Sequence, residues 1–96
     1  MLRKYECMYI TDVQLQEEES QKLVELMESI IKNNGGEVVE KMTIGARNFT
    51  YPIKKKTNGI YSLMVFNANG KVLTELRERL NYDDRLLRFM IIKVEH

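Results

Sequence analysis

Glu17-Glu18-Glu19 and Asp83-Asp84 are the densest carboxylate groups of the chain, and paired carboxylates are what acid–base or metal chemistry would use. Neither group fits that chemistry. Successive helix positions point about 100° apart, so the three glutamates fan out into water instead of sharing a proton. Asp83-Asp84 closes a helical pattern and reads as a turn or cap. Cys7 is the sole cysteine and His96 the sole histidine, which removes a disulfide framework, a Cys/His zinc site and a Cys–His nucleophile together. Cys7 falls on the apolar side of a strand pattern, where a buried, inert thiol is expected. No GxGxxG or P-loop pattern occurs, and Gly35-Gly36 follows a helix where a phosphate loop should precede one. No catalytic residue, metal site, cofactor or small-molecule substrate is expected; the chain reads as no enzyme.

The remaining chemistry is cationic. The formal net charge is only +1, which by itself argues against a nucleic-acid binder. The signs are not mixed evenly, however. Residues 1–40 hold four bases against nine acids, a balance of −5; residues 41–60 hold five bases and no acid, +5; residues 61–96 hold six bases and five acids, +1. The basic segment contains Arg47 and Lys54-Lys55-Lys56 beside Phe49 and Tyr51. Mobile cations for phosphates with flat side chains nearby are what RNA recognition needs. Lysine runs at turns also keep an exposed sheet edge soluble. Arg47, which lies within the strand and not at the turn, is less easily explained that way.

The elements that must position these residues follow from periodicity. At 96 residues, 44% hydrophobic and 30% charged, the chain is read as one globular domain over 1–96 with a modest core. It has no apolar run of 18 residues and no signal-peptide pattern, so a reducing, cytoplasmic setting off the membrane is expected. Leu2 to Ile10 alternates, with Tyr5, Cys7 and Tyr9 on one side and Lys4, Glu6, Met8 and Ile10 on the other. Leu23, Leu26, Met27, Ile30 and Ile31 recur at helical spacing after the acidic opening, and Asn33-Asn34-Gly35-Gly36 stops that helix. Glu37 to Ile53 and Thr57 to Asn67 predict a long β-hairpin turning through Lys55 to Gly59, with Pro52 marking an edge strand or bulge. Because a bulge would reverse parity, Phe49 and Tyr51 take no face assignment. Asn69-Gly70 opens a second helix with Val72, Leu73, Leu76 and Leu80 on one face and Glu75 and Arg79 spaced for an ion pair. Leu86 to Val94 is apolar on both faces apart from Arg88 and Lys93, which predicts a central strand.

The order β-α-β-β-α-β predicts the ferredoxin-like split β-α-β fold, an α+β sandwich with a four-stranded antiparallel sheet and two helices on one face. The other face is left uncovered, and parity puts Met8 and Ile10 there, an apolar patch that predicts a protein partner. Acylphosphatases share this fold and size, but their loop after the first strand needs glycines and an arginine, and here it reads Thr11-Asp12-Val13-Gln14. The third strand, Ile60-Tyr61-Ser62-Leu63-Met64-Val65-Phe66, lacks the basic and glycine positions of an RNA-recognition motif.

Arg3-Lys4-Tyr5-Glu6, Asn34-Gly35-Gly36-Glu37-Val38, Gly45-x-Arg47 with Tyr51-Pro52-Ile53-Lys54-Lys55, Gly59-Ile60-Tyr61, and Asp84-Arg85-x-Leu87-Arg88 together resemble the bacterial small-ribosomal-subunit protein six family. The resemblance runs over nearly the whole chain. It implies a structural constituent of the small ribosomal subunit, in the cytoplasm, that binds small-subunit ribosomal RNA as a heterodimer with ribosomal protein eighteen. By position it implies RNA contacts at Arg3, Arg47, Lys54, Lys55, Lys56 and Arg88, with phosphate positioning as their mode. Ala46 and Asn48 stand where that family is commonly basic, which implies thinner direct contact. The alternative from another class is a regulatory or ligand-binding module of the same fold that self-dimerises through its open sheet face.

Overall fold

The computed structural model describes residues 1–94; His96 lies outside the described residues. The elements are β1 (Arg3–Thr11), α1 (Glu17–Asn33), β2 (Glu37–Ile53), β3 (Lys56–Ala68), α2 (Gly70–Asn81) and β4 (Leu86–Lys93). One antiparallel sheet has the order β2-β3-β1-β4. Each βαβ unit is therefore split by a strand of the other, the topology expected from the element order.

The core lies between the sheet and both helices. Tyr5, Cys7 and Tyr9 of β1 face it together with Met64 and Phe66 of β3, and they meet Leu23, Met27, Ile30 and Ile31 of α1 and Val72, Leu76 and Leu80 of α2. The Cys7 thiol is fully covered, and burial pushes its pKa up to about 12, so it stays protonated and inert. α1 has no side-chain N-cap bond, and Glu17, Glu18 and Glu19 in its first turn complement the dipole instead. Its end is a Schellman motif. Gly36 donates to the Ile31 carbonyl at 2.8 Å and Gly35 to Lys32 at 3.2 Å, with Gly35 at φ +89° as the motif requires. α2 opens as expected on Asn69, whose side chain accepts from the Val72 N–H at 3.0 Å.

Three expectations need correction. β4 is an edge strand, and β1 and β3 are central. Its apolar outer residues, Met90 at 55% and Ile92 at 53% exposure, form surface and not interior. The hairpin turn is Lys54-Lys55, at φ 49° and 66°, and Asn58-Gly59 lies inside β3. Glu75 accepts from the amide of Asn34, the C-cap residue of α1, instead of pairing with Arg79, and so ties the end of α1 to α2.

The turn from α2 into β4 is held by Asp83, which accepts from the Arg85 backbone N–H at 3.0 Å and from Arg85 Nε and Nη2 at 2.9 and 2.6 Å. The Arg85 guanidinium holds the Asp83 carboxyl below its usual pKa. A group with a depressed folded-state pKa contributes stability above its unfolded value of about 3.9 and loses it as pH falls through the folded value. Asp83→Asn is thus expected to cost about 1 kcal/mol near neutrality. Denaturant titrations of variant and wild type should converge as the pH falls below about 4.

Candidate functional site

β2 and β3 form an arm that bends. Two register shifts, between Val38 and Glu40 and between Thr43 and Gly45, each place one extra residue in β2, and a third leaves Phe49 to Pro52 opposite only Thr57. Bulges of this kind bend a strand and raise its twist. The tip folds across the end of β1. There Lys56 Nζ sits 3.0 Å from Asp12 Oδ2, and Lys54 Nζ donates to the Leu86 carbonyl at 3.0 Å. Asp12 also accepts from the Gln14 N–H at 3.0 Å, and that bond first, then Lys56, holds its carboxyl below the usual range.

Both central turn residues have positive φ, as a type I′ hairpin turn demands. Asn-Gly adopts this geometry at less cost than lysine, which is strained there; what the lysines add is charge. Arg47 is exposed, with Nη1 donating to the neighbouring Ala46 carbonyl at 2.9 Å.

The open face is ordered in rows across the strands. Met42, Leu63, Met8 and Met90 are successive cross-strand partners and make one apolar row over all four strands. Met42 is 44%, Met8 37% and Met90 55% exposed. On one side lies the row Glu40, Val65, Glu6 and Ile92; on the other, Gly45, Tyr61, Ile10 and Arg88, with Arg47 and the lysines beyond. The face is acidic at one end, apolar in the middle and basic at the other.

The sequence-predicted residues distribute unevenly over this surface. Arg47, Lys54, Lys55, Lys56 and Arg88 gather at the hairpin end. Arg3 begins β1 opposite Ala68, eight residues from Thr11, so about 26 Å of strand separates it from that cluster. Met8 is exposed on the open face as expected. Ile10 shares that face but is only 6% exposed, and its Cγ2 and the Phe49 ring both crowd the space over Gly59. Met42, Leu63, Met90 and Ile92 complete the patch without having been singled out by sequence. Strand parity finds Met90 and Ile92 once β4 is aligned with β1, whereas the bulges in β2 hide Met42. Among the described residues no group of three or more His, Cys, Asp or Glu side chains is placed to hold a metal, and no helix is long and apolar enough to cross a membrane.

A family model described as ribosomal protein S6 matches residues 4–93. The chain belongs to that family. Its members are structural proteins of the small ribosomal subunit, which places the chain in the cytoplasm as part of the ribosome. Small ribosomal subunit protein bS6 of Thermoanaerobacter pseudethanolicus is 40% identical over 98% of this chain and 99% of its own length. The bS6 of Syntrophobacter fumaroxidans is 33% identical over 98% of this chain, which spans 64% of that longer relative. The crystal structure of 30S ribosomal protein S6 from Thermotoga maritima superposes with a TM-score of 0.87 at 30% identity, covering 98% of this chain and 89% of the other.

Proposed function

We propose that the chain acts as a single, non-catalytic domain over 1–96 that docks through its open sheet face on a small basic protein, ribosomal protein eighteen of the small subunit. As that heterodimer it holds small-subunit ribosomal RNA against its hairpin end. The observation that carries this reading is the ordered open face. An exposed apolar row beside Glu6 and Glu40 suits a basic protein, while Arg47, Arg88 and the turn lysines suit phosphates. Ile10 takes no direct part, because it is already covered. Lys56 contributes less than Lys54 and Lys55, since Asp12 offsets its charge.

Removing one cation from a phosphate lowers the slope of log affinity against log salt by about 0.7–0.9. Replacing Arg47, Lys54, Lys55 and Lys56 together by alanine should therefore flatten that slope by about 2–3 for binding of the heterodimer to small-subunit RNA. The isolated protein should bind the same RNA weakly until the partner is added. An unchanged slope in the fourfold variant would refute the hairpin's role.

A further inference from the structure

Beneath the bent hairpin lies a groove of about 580 Å³, with one wall running from Asn48 to Ile53 and with Tyr61 and Arg88 on the sheet side. Its volume is within the roughly 300–1,000 Å³ of ordinary ligand clefts. Tyr61 and Arg88 flank Ile10 on neighbouring strands, so the floor is two interstrand spacings wide, about 10 Å. Phe49 meets Tyr61 edge to face at 6.2 Å, which sets the inner end, and Gly59 leaves room for the Phe49 ring. Tyr51, on the wall, is 79% exposed. Among the described residues no acidic side chain lines the groove, Arg88 is its one cation, and the turn residues Lys54 and Lys55 follow Ile53 in the chain.

We propose that this groove receives one unstacked base of single-stranded RNA, with the base against Tyr51, its edge toward the Asn48 amide and Thr50 hydroxyl, and its phosphate on Arg88. Three features select a nucleotide over a peptide side chain. An exposed aromatic ring offers a face to any base, the exposed Arg88 guanidinium suits a phosphate, and amide and hydroxyl groups on one wall suit a base edge. This inference rests on the RNA reading above and sharpens it from phosphate positioning to the capture of a single nucleotide.

The test is reconstitution of small-subunit particles from components lacking this protein, with wild type, Tyr51→Leu or Tyr51→Phe added back. Bases are then probed with dimethyl sulfate, carbodiimide and kethoxal. Tyr51→Leu should bind its site about tenfold more weakly with an unchanged salt slope, and one unpaired base shielded by wild type should become reactive; Tyr51→Phe should restore both. Identical base reactivities with wild type and Tyr51→Leu overturn the proposal. So does a Tyr51→Leu defect that appears in pairing with the partner protein without RNA, which would make the groove a protein contact. If the fourfold Arg47 and lysine variant keeps its salt slope, the broader RNA reading fails. If that slope falls while no base responds to Tyr51→Leu, only the groove assignment fails.

Discussion

Replacing Met8 and Met90 together by aspartate should weaken pairing with the protein partner by about a thousandfold while leaving the fold intact. The two residues face each other across β1 and β4 at the centre of the open face. Both are exposed, at 37% and 55%, so aspartate there meets water in the free chain and costs little. In a closed interface the same carboxylates are desolvated against apolar neighbours, and a buried, unpaired charge costs several kcal/mol. Central interface positions of this kind typically carry about 2 kcal/mol or more each, so a loss of about a thousandfold in affinity is expected for the pair. Calorimetric titration with the partner measures it, and thermal melting of the free variant checks the fold. Wild-type affinity in the double variant would rule out the open face as the docking surface. If wild type instead dimerises with itself through this face, sedimentation shows a concentration-dependent dimer that the variant lacks. Ile10 is unsuitable for this test, because at 6% exposure an aspartate there would unsettle the hairpin's base as well.

The helices, their caps and the faces of β1 are legible in the sequence because each depends on neighbours within about one turn or one pleat. Leu23, Met27, Ile30 and Ile31 share a stripe wherever α1 is placed, and Asn69 caps α2 by a bond to a residue three positions on. The edge position of β4 is not legible. An apolar outer face is the same pattern whether the strand is central or at an edge, and Met90 and Ile92 are apolar although β4 has a neighbour, β1, on one side only. The turn is misplaced by sequence reasoning because Asn58-Gly59 offers the cheaper turn pair, while the chain reverses at Lys54-Lys55 against local preference. Of the site, the basic segment is visible in the charge distribution. Its coupling to Asp12 and to the Leu86 carbonyl is not, since both depend on a bend made by three register shifts.

Gly59 shows what that bend demands of the sequence. It is paired with Arg47 inside the hairpin, so its glycine serves neither a turn nor a cap. A Cβ there would lie 2.6 Å from Ile10 Cγ2, 2.8 Å from the Phe49 ring and 3.0 Å from the Thr11 carbonyl oxygen. The first two are side-chain atoms at the foot of the hairpin, and the third is backbone of a central strand. Relief therefore requires Phe49 to swing away from Tyr61 and β3 to part from β1. Overpacking of this kind costs about 1–3 kcal/mol, which for a domain of this size lowers the melting temperature by about 10 °C. Gly70→Ala is the matched control, since nothing among the described residues lies within 4 Å of its Cβ and helical alanine is favoured over glycine. Gly59→Ala should thus melt well below wild type and Gly70→Ala at or slightly above it, as scanning calorimetry will show. Because Phe49 closes the inner end of the groove, Gly59→Ala particles held below their melting point should also leave the captured base reactive. A Gly59→Ala melting point within about 2 °C of wild type would mean that the foot of the hairpin yields freely, and the arm would then be too loose to hold a nucleotide in place.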